Sequence, residues 1–428
     1  MAPTLLLRQV QLLESPGRPP RRADVLIVEG RLEGIGDAAV LPPGAEGLAI
    51  EIEAQSCWLA PPLVDPHSVL EDPWQGRAES LESLREAAAS GGYGTVALLP
   101  WAVSWRDRPE RLSLRWPDPM QLLLWGSFSV EGADRELAPH ADQLAAGALG
   151  LAGGDSLPPL GLLERGLRLQ EMEGRPVLLA PRDASLACHG FVRERVEALR
   201  AGWPLDPPLS ETLPLQSLLT LAGANAALAL RLMNLSTADA VDLLRRSIGV
   251  PMTSVGWWHL IADSGGLDPA EEGWRLVPPL GGPGDRGALI EALAEGVITA
   301  VAVHHQPLDA EEQLLPLDQR RPGIAGHGVA LPLLWKELVG KHGWSVEQLW
   351  QALCWGPCRF LGLPPAALQV GSRRWILFDP QRTWSWGPSS CVSRAANQPR
   401  WQTSIQGRVV ASGLVDPESW ILTGAPSC

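Results

Sequence analysis

Residues 61–73 read PPLVDPHSVLEDP, an apolar run that ends in Val64-Asp65 and delivers one histidine, His67. An imidazole placed at the end of a strand is metal-ligand chemistry. A catalytic zinc, however, takes three protein ligands and keeps a fourth position open. The other donors that could join His67 are Asp155 in LAGGDSLPP and the pair His304-His305 in ITAVAVHH. Three of these four could hold one metal in a rebuilt arrangement. The competing reading makes each a cap or a local hydrogen-bonding group, and it is the favoured one. Asp65 reads as a structural carboxylate at a strand end.

The remaining reactive side chains point away from catalysis. His259 in GWWHL follows two tryptophans and is expected to pack against them, and His189 and His342 are expected at the surface. Cys188-His189 are sequence neighbours, which does not aim a thiol at its neighbour's ring. Cys354 and Cys358 lie four apart on a predicted helix that ends at Gly356-Pro357, and read as packed thiols rather than ligands. The six cysteines show no paired zinc-ribbon spacing.

Positioning such groups requires a scaffold, and the apolar periodicity describes one. Residues 3–60 read as short strands with turns, including a hairpin in ADVLIVEGRLEGIG that reverses at Glu29-Gly30. From residue 62 the rhythm becomes strand, loop, helix. In RAESLESLREAAASGGYGTVALLP, Leu81, Leu84 and Ala88 share a helical face, Gly91-Gly92 ends the helix, and TVALLP follows as a strand. Further apolar runs lie at 120–129, 147–152, 175–181, 227–235, 250–255 and 298–305. Helical stretches such as 237–247 and 285–296 separate them. With the run at 62–65 the count is eight, which predicts a closed (β/α)8 TIM barrel. LQVGSRRWILFDP (368–380) and QGRVVASG (406–413) return to β character and are expected to join the N-terminal strands in a small β-sandwich. The expected division is 1–60 for the first part of the β domain, 61–345 for the barrel and 346–428 for a helix and strands that complete the β domain.

Composition agrees with a globular chain. Of 428 residues, 45% are hydrophobic and 19% charged, enough for a sizeable core and too apolar for disorder. The net charge of -13 and the absence of basic runs disfavour nucleic acid as a partner. No apolar run reaches the roughly 18–20 residues of a membrane span, and no cleavable leader is evident. A cytoplasmic location is expected. Nineteen tryptophans stand against one tyrosine and four phenylalanines, which points to core and interface filling.

The order and spacing of several segments resemble the amidohydrolase superfamily, and within it the dihydroorotases. ADVLIVEGRLEGIG is similar to that family's opening hairpin, and APPLVDPHSVLEDP to its first metal-ligand strand. NLSTADAVDLLRR, VPPLGG, ITAVAVHHQPLDAEE, PGIAGHGVALPLL, GPCRFLGLP and VGSRRWILFDP follow in register. The resemblance implies a barrel with one or two divalent metals, a metal-activated water and an aspartate on the eighth strand that handles the proton.

Carried over residue by residue, that chemistry is largely missing. Of the His-x-His pair only His67 is present, because the second position is Val69. After strand four there is no lysine, and Asp155 lies near the acidic position. The histidine of strand five corresponds to Ala180, that of strand six to Asn234, and the catalytic aspartate to His304, with His305 following. The substrate contacts correspond to Glu71, Trp101, Val277 and Gly281, in place of an arginine, an asparagine and an asparagine–arginine couple. Alkyl groups at 69 and 180 cannot coordinate a cation.

The resemblance therefore implies a dihydroorotase homologue of pyrimidine biosynthesis that is catalytically impaired and carries no cofactor. Inactive chains of this type associate with aspartate transcarbamoylase, so a pyrimidine-pathway enzyme is the expected partner, in a homo- or hetero-oligomer joined through the barrel's outer surface and exposed tryptophans. The alternative is an active zinc-dependent cyclic amidohydrolase with a rebuilt site, which would convert carbamoyl-aspartate to dihydroorotate. A third possibility is a small-molecule sensor that keeps the pocket without the reaction.

Overall fold

The computed structural model describes residues 4–41, 49–169, 174–195, 198–199, 202–225, 228–267, 271 and 273–422. The first five strands are β1 (Thr4–Leu12), β2 (Arg21–Val28), β3 (Arg31–Ile35), β4 (Ala49–Glu53) and β5 (Trp58–Ala60). The hairpin between β2 and β3 turns at Glu29 and Gly30, both with positive φ (51° and 76°), the conformation that a two-residue hairpin turn requires.

Eight parallel positions then build the barrel. They are β6 (Leu63–Ser68), β7 (Tyr93–Leu98), β8 with β9 (Gln121–Leu124 and Gly126–Ser127), β10 (Leu151–Ala152), β11 (Val177–Leu179), β14 (Leu230–Leu235), β15 (Met252–Gly256) and β16 (Ala300–Ala302). A short parallel pair, β12 (Val192–Arg193) and β13 (Leu205–Asp206), lies outside the barrel wall. β8 and β9 are one strand interrupted at Trp125. β8 pairs with β7 and β9 with β10, so the wall divides into a run β6-β7-β8 and a run β9-β10-β11-β14-β15-β16. The eight runs expected from the sequence are the eight positions observed.

Closure between β16 and β6 uses side chains as well as backbone. Val303 N donates to Asp65 Oδ1 at 2.9 Å, His305 N donates to Ser68 Oγ at 2.8 Å, and Val69 N donates to His305 O at 2.8 Å. Polar side chains there take up backbone groups that burial would otherwise leave unpaired.

Helices form where the sequence caps them. Ser80 accepts from Ser83 N at the start of Leu81–Ser90, and Thr237 accepts from Ala240 N at the start of Ala238–Arg246. The helix carrying Cys354 and Cys358 does not end at Gly356-Pro357, contrary to expectation. It runs from Val346–Trp350 through a π-helical turn, Gln351–Trp355, into Gly356–Leu361. The wide turn tolerates the N–H that proline lacks. Gly356 is needed for close packing, since a Cβ there would lie 2.0 Å from Thr299 O beside β16. This last helical piece seats Cys358, Phe360 and Leu361 in a buried cluster with Val64, Ala97, Trp125, Leu178, Met233 and Ala300, which fills the barrel lumen.

The chain then returns through β17 (Ile376–Ser385) and β18 (Ser404–Ser412). Both chain ends join in one seven-stranded sheet, β18-β17-β5-β1-β2-β3, with β4 also paired to β1. It folds over its own core of Leu5, Val10, Val25, Ile27, Leu59, Trp375 and Leu377, which is the small β domain expected from the two ends. The tryptophans mostly fill cores: Trp125, Trp257, Trp258, Trp350 and Trp375 are fully buried, while Trp74 is 73% and Trp401 38% exposed. No described helix is long and apolar enough to cross a membrane.

Candidate functional site

The C-terminal ends of β6, β14, β15 and β16 bring His67, Asn234, Ser254 and His304 together. His67 Nδ1 lies 2.9 Å from His304 Nδ1, and His67 Nε2 lies 2.8 Å from Ser254 Oγ. Ser254 Oγ also accepts from Asn234 N at 3.0 Å. The Ser254 hydroxyl also reaches Leu232 O at 3.4 Å, so it ties His67, the Asn234 amide and β14 together. Between the two Nδ1 atoms one donates and the other accepts. Both rings are neutral in this arrangement. Burial, the largest influence, pushes His67 down to about 4, and burial together with the neighbouring His67 and His259 holds His304 well below the ordinary histidine value. Asn234 and His304 both sit at positive φ (52° and 46°), a conformation that costs a non-glycine residue energy and is kept here by the surrounding hydrogen bonds.

His305 is not part of this group. The chain has left β16 here and His304 takes a positive φ, so the next residue, His305, faces a different set of partners. Its Nε2 is 3.2 Å from Glu79 Oε2, its Nδ1 accepts from Gly326 N at 3.3 Å, and its ring lies 4.9 Å from that of His327. Burial would raise the Glu79 carboxyl, but bonds from His305 and Ser393 outweigh it and hold Glu79 below its ordinary range. His327 Nε2 is 2.9 Å from Asp65 Oδ2, which Ser68 Oγ also reaches. Asp65 is thus fully engaged in the barrel seam. Glu79, Ser254 and His327 were not singled out from the sequence. Each is an ordinary polar residue in its segment, and only chain closure gives it partners.

The other predicted positions line the mouth. Val69 and Ala180 are buried. Trp101 donates from Nε1 to Gly153 O at 2.9 Å and presents its ring edge-on to His304, 5.7 Å between centroids. Asp155 is exposed at the rim. Trp101, Asp155, Ala180, Asn234, Val277 and His304 surround a cavity of about 20 Å3, and a second of about 20 Å3 lies between Asn234, Val277, His304 and His259. Each has room for about one water. The Asn234 Oδ1 atom, buried between them, has no protein partner among the described residues. Glu71 is paired with Arg321, which also bonds Glu312 Oε1 at 2.8 Å, so the reversed charge is neutralised from within the chain. Gly281 is buried against Asp285, where a Cβ would lie 2.5 Å from the Asp285 Cβ. His259 Nε2 bonds Pro278 O at 3.1 Å, and burial lowers its pKa to about 4.

Comparison with known proteins fixes the lineage. No family model matches the chain. It is 34% identical over 429 residues to a probable dihydroorotase-like protein of Synechocystis sp., covering 91% of this chain and 93% of that one. The dihydroorotase of Thermus aquaticus is 30% identical over 96% of this chain and 100% of its own. The chain belongs to the dihydroorotase family. Among solved structures, the L-hydantoinase of Arthrobacter aurescens matches with a TM-score of 0.78 at 20% identity, covering 96% of this chain and 94% of that one. A D-hydantoinase from Thermus sp. matches with a TM-score of 0.77 at 20% identity, over 96% of each chain. These two show the shared barrel fold.

Dihydroorotases of the usual kind hold divalent metal, so the donor set here must be tested against one. His67 has both ring nitrogens engaged by protein, positions 69 and 180 carry no donor, and His305 faces away. Among the described residues no group of three or more His, Cys, Asp or Glu side chains is placed to hold a metal ion. The residues present do not fit the family's metal centre. Cys188 and His189 are both exposed, and Cys188 Sγ turns to Ser185 O at 3.2 Å, away from any thiol–imidazole pair. Cys354 Sγ bonds Pro62 O at 3.2 Å inside the core, while its bond to Cys358 lowers the Cys358 thiol to about 7.

Proposed function

We propose that this chain is a dihydroorotase-family protein that does not carry out the cyclic amide reaction and serves instead as a structural or regulatory partner of a pyrimidine-pathway enzyme. The observation that carries the reading is the state of His67. The ligand position that remains is closed by His304 and Ser254, in the place where a metal would need a free lone pair. The mouth supports the same reading. Small-molecule sites typically enclose about 300–1,000 Å3, and two voids of about 20 Å3 leave no room for a dihydropyrimidine ring, which also weighs against a sensor that keeps the pocket.

The partner we propose is aspartate transcarbamoylase. Trp74, Val103 and Leu314 stand 73%, 82% and 84% exposed on loops tied to one another by the Arg77–Glu311 pair and the bond from Val103 N to Glu71 O. Exposed apolar groups of this kind are the material of an interface core. The test joins three measurements on the purified protein: dihydroorotase turnover in both directions with added zinc, a metal count, and size analysis after mixing with the transcarbamoylase of the same cell. The reading expects no turnover, well under one metal per chain, and a complex that weakens when Trp74 becomes Ala. Turnover with near-stoichiometric zinc would instead establish a rebuilt hydrolase. An unchanged transcarbamoylase oligomer would remove the partner.

A further inference from the structure

A cavity of about 450 Å3 lies far from the barrel mouth, between the end of helix Leu81–Ser90, strand β18 and the segment 414–421 that follows it. It shares no residue with the two mouth voids, and its volume falls within the ordinary range for small-molecule sites, at a junction between two structural units where such sites concentrate. Its wall is about half apolar in character, with Ala89, Pro332, Trp384, Val409 and Trp420 among the lining groups.

One charged group in this wall is unaccounted for. Arg408 lies over the Trp384 ring, 4.5 Å from guanidinium carbon to ring centroid. It is half-buried and has neither a carboxylate partner nor a hydrogen-bond acceptor among the described residues. Burial first, and the nearby charge of Arg382 second, lower its pKa from the usual arginine value, as expected for a cation that nothing neutralises. The other arginines of the cavity are satisfied. Arg85 is paired with Glu82, and Arg373 donates to Gly413 O at 3.1 Å and Val415 O at 3.2 Å. The acids at the rim, Glu86, Asp118 and Asp416, act on Arg85 and Arg374 and not on Arg408.

A guanidinium held against an indole keeps its rigid fork of donors while one face is covered, and that fork matches the two oxygens of a carboxylate or the oxygens of a phosphate. We propose that this cavity binds a small organic anion with an apolar or aromatic body, its oxyanion on Arg408 and its body against Trp384, Val409 and Trp420.

The full chain titrated with anilinonaphthalene sulfonate, a fluorescent aromatic anion, tests the assignment. The expected result is one saturable site per chain, at least tenfold weaker in R408Q, and at least tenfold weaker for the uncharged analogue phenylnaphthylamine on the unaltered protein. Displacement of the dye by benzoate identifies a carboxylate site, and displacement by phenyl phosphate a phosphate site. Equal binding of charged and neutral probes, equal binding by R408Q, or failure of both competitors to displace the dye would overturn it. Should R408Q not fold, the charged-versus-neutral comparison and the milder W384F, expected to weaken binding as well, still decide.

Discussion

Ser254 illustrates how much one hydroxyl can hold. It accepts from the Asn234 amide at 3.0 Å and bonds His67 Nε2 at 2.8 Å. Replacing it with alanine leaves a buried ring nitrogen and a buried amide without partners, at about 1–3 kcal/mol for each. We expect S254A to lower the urea midpoint accordingly, with the slope of the transition unchanged. His259 gives a second residue-level test, in pH. Its folded pKa is depressed to about 4 by burial, so the unfolded chain takes up a proton near 6.5 that the native chain refuses. Stability from this group is full above about pH 6.5 and is lost as pH falls toward 4, with a slope of about 1.4 kcal/mol per pH unit at its steepest. Denaturation curves from pH 8 to 4 should show that fall, and H259Q should make it shallower without abolishing it, because His67 and His304 are depressed by burial as well.

Among the elements, the β16–β6 seam carries the clearest expectation. Asp65 accepts from Val303 N, Ser68 Oγ and His327 Nε2, all buried. D65A strands three donors at once, and a loss of at least about 3 kcal/mol is expected on the scale of single unsatisfied groups. D65N, which retains one oxygen acceptor, should cost less, and chemical denaturation of the two variants side by side checks the order. The helical plug Gly356–Leu361 is the apolar counterpart. Phe360 is fully buried in the lumen cluster, its ring 6.4 Å from that of His67. F360A should cost about 3–5 kcal/mol, the range for truncating a buried phenylalanine. The eight strands were legible in the sequence because an apolar run of the right length between helices has few other uses. The continuation of the helix through Gly356-Pro357 was not legible, because a π turn depends on what packs against it.

Across the whole molecule, the family's barrel persists, and on the reading proposed above the positions that the resemblance assigns to ligands carry Val69, Ala180, Asn234 and His304. Restoring donors should therefore restore metal binding before it restores any reaction. The combined variant V69H, A180H, N234H and H304D places donors at the family positions beside His67, and we expect about one zinc per chain by elemental analysis. Turnover is not expected, because Trp101 and Val277 still fill the mouth and Glu71 still pairs with Arg321. The sequence by itself determined the barrel, the β domain made from both ends, and the absence of donors at 69 and 180, since strand periodicity and side-chain chemistry are local properties. It also placed Asp65 correctly as a structural carboxylate. Only the tertiary structure decided that His304 turns inward to His67 while His305 turns out to Glu79, that Glu71 is neutralised by Arg321 some 250 residues away, and that the mouth is filled. Those outcomes depend on which strand edges meet when the barrel closes, and closure brings together groups whose separation along the chain hides them from one another.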